Sequence, residues 1–215
     1  VDNDSGWLRQ MPFADVEAVV DPTCPDLTGR VLEMMAAVGY NADHPAARGA
    51  IQWLKRAQDA EGPWWGRWGV NYIYGTFSVL AGLRAIGIDC GEPWIKRAVA
   101  WLKSKQNPDG GWGESCLSDK DPSWKGRGTS TPSQTAWALI GLLAGENGLS
   151  DQVMRGVEWL NERQLDSGEW EENEFTGTGF PNHFYLRYHM YAHYFPLMAL
   201  GRFRRRIADA EINPH

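Results

Sequence analysis

The sequence predicts an all-α fold, part of a toroid-like α/α barrel in which outer amphipathic helices surround inner apolar ones. Three observations support this prediction. A short phrase recurs three times, amphipathic and apolar helical patterns alternate around its copies, and no segment shows the alternation of a long β-strand. Fixed internal spacing in three copies indicates a repeat architecture.

Each copy of the phrase carries a Trp near a helix end, a Gln five residues later and a second Trp six residues after the Gln. The copies are Trp53–Trp64, Trp101–Trp112 and Trp159–Trp170, opened by Arg48, Arg97 and Arg155. A Gly before the second Trp permits a tight turn, often with positive φ. The Gln amide can satisfy free backbone groups at helix ends. We therefore interpret the phrase as structural scaffold rather than as a catalytic site.

The first four helices follow from apolar spacing and proline positions. Apolar residues at 3/4 spacing predict a helix from Asp26 to Val38, and a second amphipathic helix runs from Pro45 to Ala57. Tyr72 to Ile86 is apolar on most sides, which is typical of a buried helix, and its small residues allow close helix contacts. Pro93 suits the first turn of an amphipathic helix that extends to Lys105.

Three further helices complete the predicted set. An apolar helix begins at Thr131 and extends to about Ala144, and Ser150 is a candidate N-cap for a helix that ends near Arg163. The last helix is predicted from Phe184 to Ile207, with a kink at Pro196. Residues 1–215 are predicted to form a single domain. Seven helices are too few to close a barrel, so we expect further helices from chain outside this segment.

Composition excludes several classes of protein. The net charge is −6, and no stripe of Lys and Arg is interleaved with exposed aromatics, so nucleic acid is not expected as a partner. Three widely spaced cysteines favour a reducing compartment over a disulfide framework, and the five histidines show no metal-ligand spacing. The sequence contains no apolar stretch of membrane-spanning length, and we do not expect a signal peptide. Twelve tryptophans indicate aromatic packing, an aromatic-lined pocket, or both.

Several segments resemble bacterial squalene–hopene cyclases, and the recurring phrases resemble the QW motifs of triterpene cyclases. The segments are 66–75, 106–114, 130–139 and 177–196. The resemblance covers essentially the whole chain and corresponds to the C-terminal third of such an enzyme. It implies cyclisation of squalene to hopene and hopanol, an isomerase and lyase activity of hopanoid biosynthesis. It also implies that no metal or cofactor is needed, because protonation of a terminal alkene starts a redox-neutral reaction.

The acid of that reaction belongs to an Asp-x-Asp-Asp motif in the family. Asp2-Asn3-Asp4-Ser5 and Asp119-Lys120-Asp121-Pro122 contain only the first two aspartates. Neither corresponds in position to the family's motif, which is expected upstream of Val1. We therefore predict that this polypeptide alone is inactive.

The resemblance assigns three residues to the surroundings of the acid. Asp26 matches a carboxylate of the family's acid network, and Tyr74 matches a tyrosine near it. Arg30 stands where the family usually has a His, which is a departure. An arginine can hold a neighbouring carboxylate ionised, but it cannot shuttle protons because its pKa lies above about 12. The alternatives are a helix N-cap for Asp26 and a plain surface charge for Arg30.

The resemblance also assigns cavity-lining residues: Phe13 at a channel constriction, Trp68, Phe180, Phe184, Tyr188 and Tyr191. Aromatic faces stabilise carbocations. In the predicted last helix, Phe184, Tyr188 and Tyr191 stand at i, i+4 and i+7 and share one face. An ordinary core stripe would show the same spacing. Ala14 replaces a Cys found in some family members, which is expected to loosen the constriction.

Other classes of protein remain open. Oxidosqualene cyclases share the repeat phrases. Protein prenyltransferase β subunits share the barrel but need a zinc set, which Asp89-Cys90 and Glu114-Ser115-Cys116 do not reproduce convincingly. A non-catalytic binding scaffold is the third alternative.

Membrane association is a further expectation from the resemblance, because family members are monotopic proteins that take squalene from the bilayer. It implies the cytoplasmic face of the bacterial cell membrane and a homodimer at full length. The tail Arg202–Arg206 could favour anionic lipid. A solvated helix end that interacts with its own dipole explains the same charges.

Overall fold

The computed structural model describes residues 22–212, and these residues form seven α-helices, two short 3-10 helices and one β-hairpin. The α-helices are α1 (Pro25–Ala37), α2 (Pro45–Ala57), α3 (Tyr72–Ala85), α4 (Pro93–Ser104), α5 (Pro132–Gly145), α6 (Asp151–Glu162) and α7 (Tyr191–Ile212). The 3-10 helices span Cys116–Asp119 and Pro122–Trp124, and the strands are β1 (Gly177–Phe180) and β2 (Phe184–Leu186).

The helices form two layers. In the inner layer, α1 packs on α3, α3 on α5, and α5 on α7. The helix α5 is buried along its whole length and α3 along most of it, whereas α2, α4 and α6 bury one face each. This arrangement confirms the predicted part of an α/α barrel, because apolar helices lie inside amphipathic ones.

A glycine pair sets the distance between α1 and α3. A Cβ on Gly82 would collide with the backbone carbonyl of Gly29, so no larger residue fits at this crossing. The expectation that small residues on α3 allow close helix contacts is confirmed here.

The repeat turns have the structure that the phrase predicts. The first glycine of each turn has positive φ: +114° at Gly62, +96° at Gly110 and +85° at Gly168. The indole N–H of the second Trp donates to a carbonyl ten residues earlier, over 2.8 Å in all three copies, and thereby satisfies a helix end. The acceptors are the carbonyl oxygens of Leu54, Leu102 and Leu160.

The Gln of the first two phrases joins successive outer helices. The Nε2 of Gln106 donates to the carbonyls of Gly110, in its own turn, and of Gln152, at the start of α6. Gln58 makes the equivalent two bonds, and its Oε1 accepts from Arg97, which opens the next copy, over 2.7 Å. The interpretation of the phrase as scaffold is therefore supported by geometry.

The sequence predicts six helices with both ends within one residue of those observed. The seventh helix is also present, but its predicted start at Phe184 is wrong and its predicted end at Ile207 is too early. Helix α7 begins at Tyr191, and Phe184 lies in β2 instead. Pro181, Asn182 and His183 turn the chain between the strands, and Asn182 adopts φ +66°. Thr178 pairs with Tyr185 in the antiparallel register. Phe184, Tyr188 and Tyr191 therefore do not share one helix face.

Candidate active site

The Asp26 carboxylate lies at the meeting point of α1 and the loop that precedes α3. The side chain is buried, and its Oδ2 accepts the backbone N–H groups of Arg67 and Trp68, each over 3.0 Å. The backbone carbonyl of Asp26 accepts the Ser78 hydroxyl of α3 at 2.7 Å. Cys24, and not Asp26, is the N-cap residue of α1, so the N-cap alternative for Asp26 does not hold.

This contact reverses the arrangement of the other two repeats. Two residues after the second Trp, the later copies carry Glu114 and Glu172, whose carboxylates accept N–H groups at the start of α3 and α5. Gly66 holds the equivalent position in the first copy, and there the helix supplies the carboxylate while the loop supplies the donors. Burial raises the pKa of both Glu114 and Glu172, against the lowering effect of these hydrogen bonds.

Arg30 is half-buried and does not extend freely into solvent. Its Nη1 lies 3.1 Å from Glu33 Oε2, and its guanidinium carbon lies 5.4 Å from the centre of the Phe77 ring. Arg202 of α7 binds the other oxygen of Glu33 at 2.6 Å. The alternative of a plain surface charge therefore does not hold for Arg30.

Tyr74 belongs to an aromatic cluster at the centre of the inner layer. Its ring makes edge contacts with Phe77 at 5.3 Å and with Trp137 at 4.8 Å between centroids. Burial, and then the charge of Asp26, raise the pKa of Tyr74 well above its usual range, while Arg30 opposes the shift. The phenol is therefore protonated at neutral pH and can donate a hydrogen bond.

The remaining aromatic residues lie on the loop before α3, on the hairpin and at or just before the start of α7. Trp68 is joined to β1 because its carbonyl accepts the Thr178 N–H at 3.3 Å. Phe180 and Phe184 meet edge to face at 5.3 Å, and Tyr188 and Tyr191 lie 4.8 Å apart between centroids. Phe184 is 45% exposed and Tyr188 is 41% exposed. The structure thus pairs Phe180 with Phe184 and Tyr188 with Tyr191, and joins the Trp68 backbone to β1. Phe13 lies outside the described residues.

A polar contact holds the hairpin in place. The Tyr185 hydroxyl donates to Asp119 Oδ2 at 2.6 Å, and the indole N–H of Trp65 donates to Asp119 Oδ1 at 2.9 Å. Asp119, which resembled half of an acid motif in the sequence, therefore binds the hairpin to the loop before α3. This contact fixes the strands on which Phe180 and Phe184 lie.

Sequence reasoning missed several aromatic residues of the cluster. Tyr194 is half-buried and packs against Tyr191 at 5.7 Å. Phe77, Trp137 and Phe195 are fully buried and support the tyrosine rings from beneath. The signal for Tyr194 was its place three residues after Tyr191, one helical turn along α7. The arrangement can bind an apolar molecule and can stabilise positive charge with its ring faces.

Comparison with solved structures defines the class of fold. The chain resembles ent-copalyl diphosphate synthase from Streptomyces platensis, with a TM-score of 0.63 over 86% of this chain and 34% of that one, at 20% identity. A protein from Actinoplanes matches with a TM-score of 0.60 over 83% of this chain and 55% of that one, at 21% identity. At this identity the likeness concerns the fold alone, and it places the chain among α/α-barrel proteins.

Sequence comparison defines the family. Residues 1–205 match the family model of the squalene-hopene cyclase C-terminal domain, and the chain belongs to this family. The match extends across the repeats, the Asp26 site and the hairpin.

The relatives are much longer than this chain. The squalene–hopene cyclase of Alicyclobacillus acidocaldarius is 55% identical over 96% of this chain, which spans 33% of that protein. A squalene-hopene cyclase of Schizosaccharomyces japonicus is 49% identical over 95% of the chain, and the dammaradiene synthase of Dryopteris crassirhizoma is 44% identical over 99%. The chain spans about a third of each. Within residues 22–212, no helix is both long and apolar enough to cross a membrane.

Proposed function

We propose that the protein, at its full natural length, cyclises squalene to hopene and hopanol through a series of carbocations. In this proposal the present chain supplies the aromatic lining and part of the surroundings of the acid. The observation that carries it is the bond from the Trp68 N–H to the buried carboxylate of Asp26. This bond joins the surroundings of the acid to the loop that holds the hairpin with Phe180 and Phe184. Membership of the family, and the names of the relatives, support squalene as substrate.

In this proposal, one set of side chains supports the acid and another set stabilises the carbocations. Asp26 and Tyr74 would hydrogen-bond to the group that protonates the alkene, while Arg30 binds Glu33 and lies over the Phe77 ring. The aromatic faces would stabilise successive cations by roughly 2 kcal/mol per desolvated ring. Phe77, Trp137 and Phe195 would keep water from reaching them from below, since all three are fully buried.

The direct test incubates the purified full-length protein with squalene and analyses the products by mass spectrometry. Hopene and hopanol are expected, and a different triterpene or no product would contradict the proposal. Phe184→Ala should lower turnover or release products with fewer rings, while Trp124→Ala, which removes a ring 40% exposed on the 116–129 loop, should not. Residues 1–215 alone should yield no product, and hopene from this segment would refute its predicted inactivity.

The proposal has a second part. The full-length protein attaches to the cytoplasmic face of the bacterial membrane and forms a homodimer. The support is the apolar substrate, which partitions into lipid, and the exposed side chains of Arg204 and Arg205 on α7. Flotation with anionic vesicles and sedimentation of the full-length protein in detergent test these two points. Protein that stays with the soluble fraction, or that sediments as a monomer, would overturn the corresponding point.

A further inference from the structure

Asp26 and Arg30 stand four residues apart on α1, a spacing at which opposite charges normally pair. Arg30 instead binds Glu33, with 3.1 Å between Nη1 and Oε2, and no ion pair joins it to Asp26 among residues 22–212. The Oδ1 of Asp26 is buried and has no hydrogen-bond partner in that part of the chain. The guanidinium has therefore turned away from a nearby carboxylate that has a free oxygen.

Glu33 is itself held from a distant part of the chain. Arg202 on α7 binds Glu33 Oε1 at 2.6 Å, while Arg30 takes Oε2, so each oxygen serves one arginine. Burial would raise the pKa of Glu33, but the two guanidinium groups outweigh it and hold the pKa below its usual range. Glu33 is thus an ionised bridge between two cations.

The direction in which Arg30 turns also has a physical reason. Its guanidinium lies 5.4 Å from the centre of the Phe77 ring, whose face attracts a cation. Burial raises the pKa values of Tyr74, Tyr191 and Tyr194, and the positive charge of Arg30 opposes this rise. The charge is consequently directed at the aromatic cluster rather than at the Asp26 carboxylate.

We propose that Glu33, fixed by Arg202, is a positioning residue that keeps Arg30 away from Asp26. Asp26 Oδ1 then stays available to accept a hydrogen bond from the acid that protonates the substrate. This inference rests on the proposed cyclase function. Without Glu33, Arg30 would turn to Asp26, because a buried carboxylate oxygen without a partner attracts a cation of the same helix.

The kinetic test compares E33Q with the unsubstituted full-length protein. We expect kcat to fall about 10- to 100-fold, with less than about threefold change in KM, because the acid is affected and substrate binding is not. E33D should restore part of the loss. Glu158→Gln, on the exposed side of α6, is the matched control and should keep full activity.

A double-mutant cycle identifies the route of the effect. If Glu33 acts through Arg30, E33Q should cause no further loss of kcat in an R30M background. An equal loss in both backgrounds would overturn the proposal. If E33Q does not fold, R202M provides a second test, because it leaves Glu33 in place. We expect R202M to lower kcat about three- to tenfold. An unchanged kcat would contradict the role of Arg202 in fixing Glu33.

A crystal structure of E33Q decides the positioning without reference to activity. Arg30 should then lie within hydrogen-bonding distance of Asp26 Oδ1. If the guanidinium stays over Phe77, the positioning role is wrong even where cyclase activity is found. If the unsubstituted protein does not convert squalene, the proposed function fails, and this structural result still decides whether Glu33 directs Arg30.

Discussion

The backbone N–H of Trp68 donates to the Asp26 carboxylate over 3.0 Å, across a separation of 42 residues. This bond joins the candidate acid network to a residue of the candidate cavity lining. It exists because the first repeat places the carboxylate on the inner helix, whereas the later repeats place it on the loop. The chemistry of the site and the folding of the loop therefore depend on the same side chain.

Asp26→Ala should lower the free energy of unfolding by about 3–6 kcal/mol. The substitution leaves the N–H groups of Arg67 and Trp68 without their acceptor in a buried place, and bonds to a charged group are worth about 1.5–3 kcal/mol each. Asp26→Asn, which keeps one acceptor oxygen, should cost less. Urea denaturation measures the difference, and the exposed Asp43→Ala serves as control. A loss below about 1 kcal/mol for Asp26→Ala would contradict the burial of these bonds.

Gln106→Ala and Gln164→Ala should differ although they alter the same position of the repeat. Gln106 donates to two carbonyls and accepts from Arg155, whereas Gln164, in the described part of the chain, makes only the bond to Gly168 within its own turn. We expect a loss of about 2–3 kcal/mol for Gln106 and less than about 1 kcal/mol for Gln164. Chemical denaturation of both variants checks this, and equal losses would show that the link between α4 and α6 adds no stability.

Gly62→Ala should destabilise the protein more than Gly39→Ala. Both glycines have positive φ, which costs an alanine about 1 kcal/mol. At Gly62, however, a Cβ would also lie 2.6 Å from the Arg97 carbonyl oxygen, while at Gly39 it would meet nothing within 4 Å. We expect about 2–4 kcal/mol at Gly62, since a rigid backbone must move. Melting curves of the two variants test the difference. Similar melting temperatures would mean that the backbone at Gly62 can move away from the Arg97 carbonyl at little cost.

The Asp59–Lys125 ion pair should make stability depend on pH at the acid end. Their atoms lie 2.6 Å apart, and burial would raise the pKa of Asp59, but the hydrogen bond and charge of Lys125 lower it below the ordinary 3.8. A lowered carboxyl pKa means that the stabilisation is present above about pH 3.8 and is lost as the pH falls through the folded-state value. The effect should not exceed about 1 kcal/mol, because Asp59 is partly exposed.

Asp59→Asn should therefore be less stable than the unsubstituted protein at about pH 7, and the two should become equally stable once the pH is below the folded-state pKa of Asp59. Urea denaturation at both pH values measures this. Asp166→Asn, at an exposed turn position, provides the control and should give parallel curves at both. A difference for Asp59→Asn that persists at the lower pH would show that packing, and not ionisation, is responsible.

Much of the fold was predictable because the repeats are local. The Gln, Gly and Trp of each phrase make contacts within about ten residues, so their spacing in the sequence is enough to predict the turn. The apolar pattern of α5 also identified it as buried before any neighbour was known. The assignment of residues 177–196 failed for the opposite reason. Phe184, Tyr188 and Tyr191 imitate a helical period, but pairing with β1 determines the backbone around Phe184.

A signal for the hairpin was nevertheless present. Pro181-Asn182 is a dipeptide typical of turns, and it separates Gly177–Phe180 from the aromatic stretch Phe184–Leu186. The anchor from Tyr185 to Asp119 could not be anticipated, because 66 residues separate the two side chains.

The sequence by itself determined the helices up to α6, the repeat turns and the family, since these depend on local spacing and on residue identity. Only the tertiary structure decided how the charges of the site are shared. Helical spacing allows Arg30 to pair with Asp26 or with Glu33. In the folded chain Arg202 fixes Glu33, which binds Arg30, and loop N–H groups bind Asp26. A charged side chain takes the partner that the packing brings to it, and α7 and the loop before α3 reach α1 only in the folded chain.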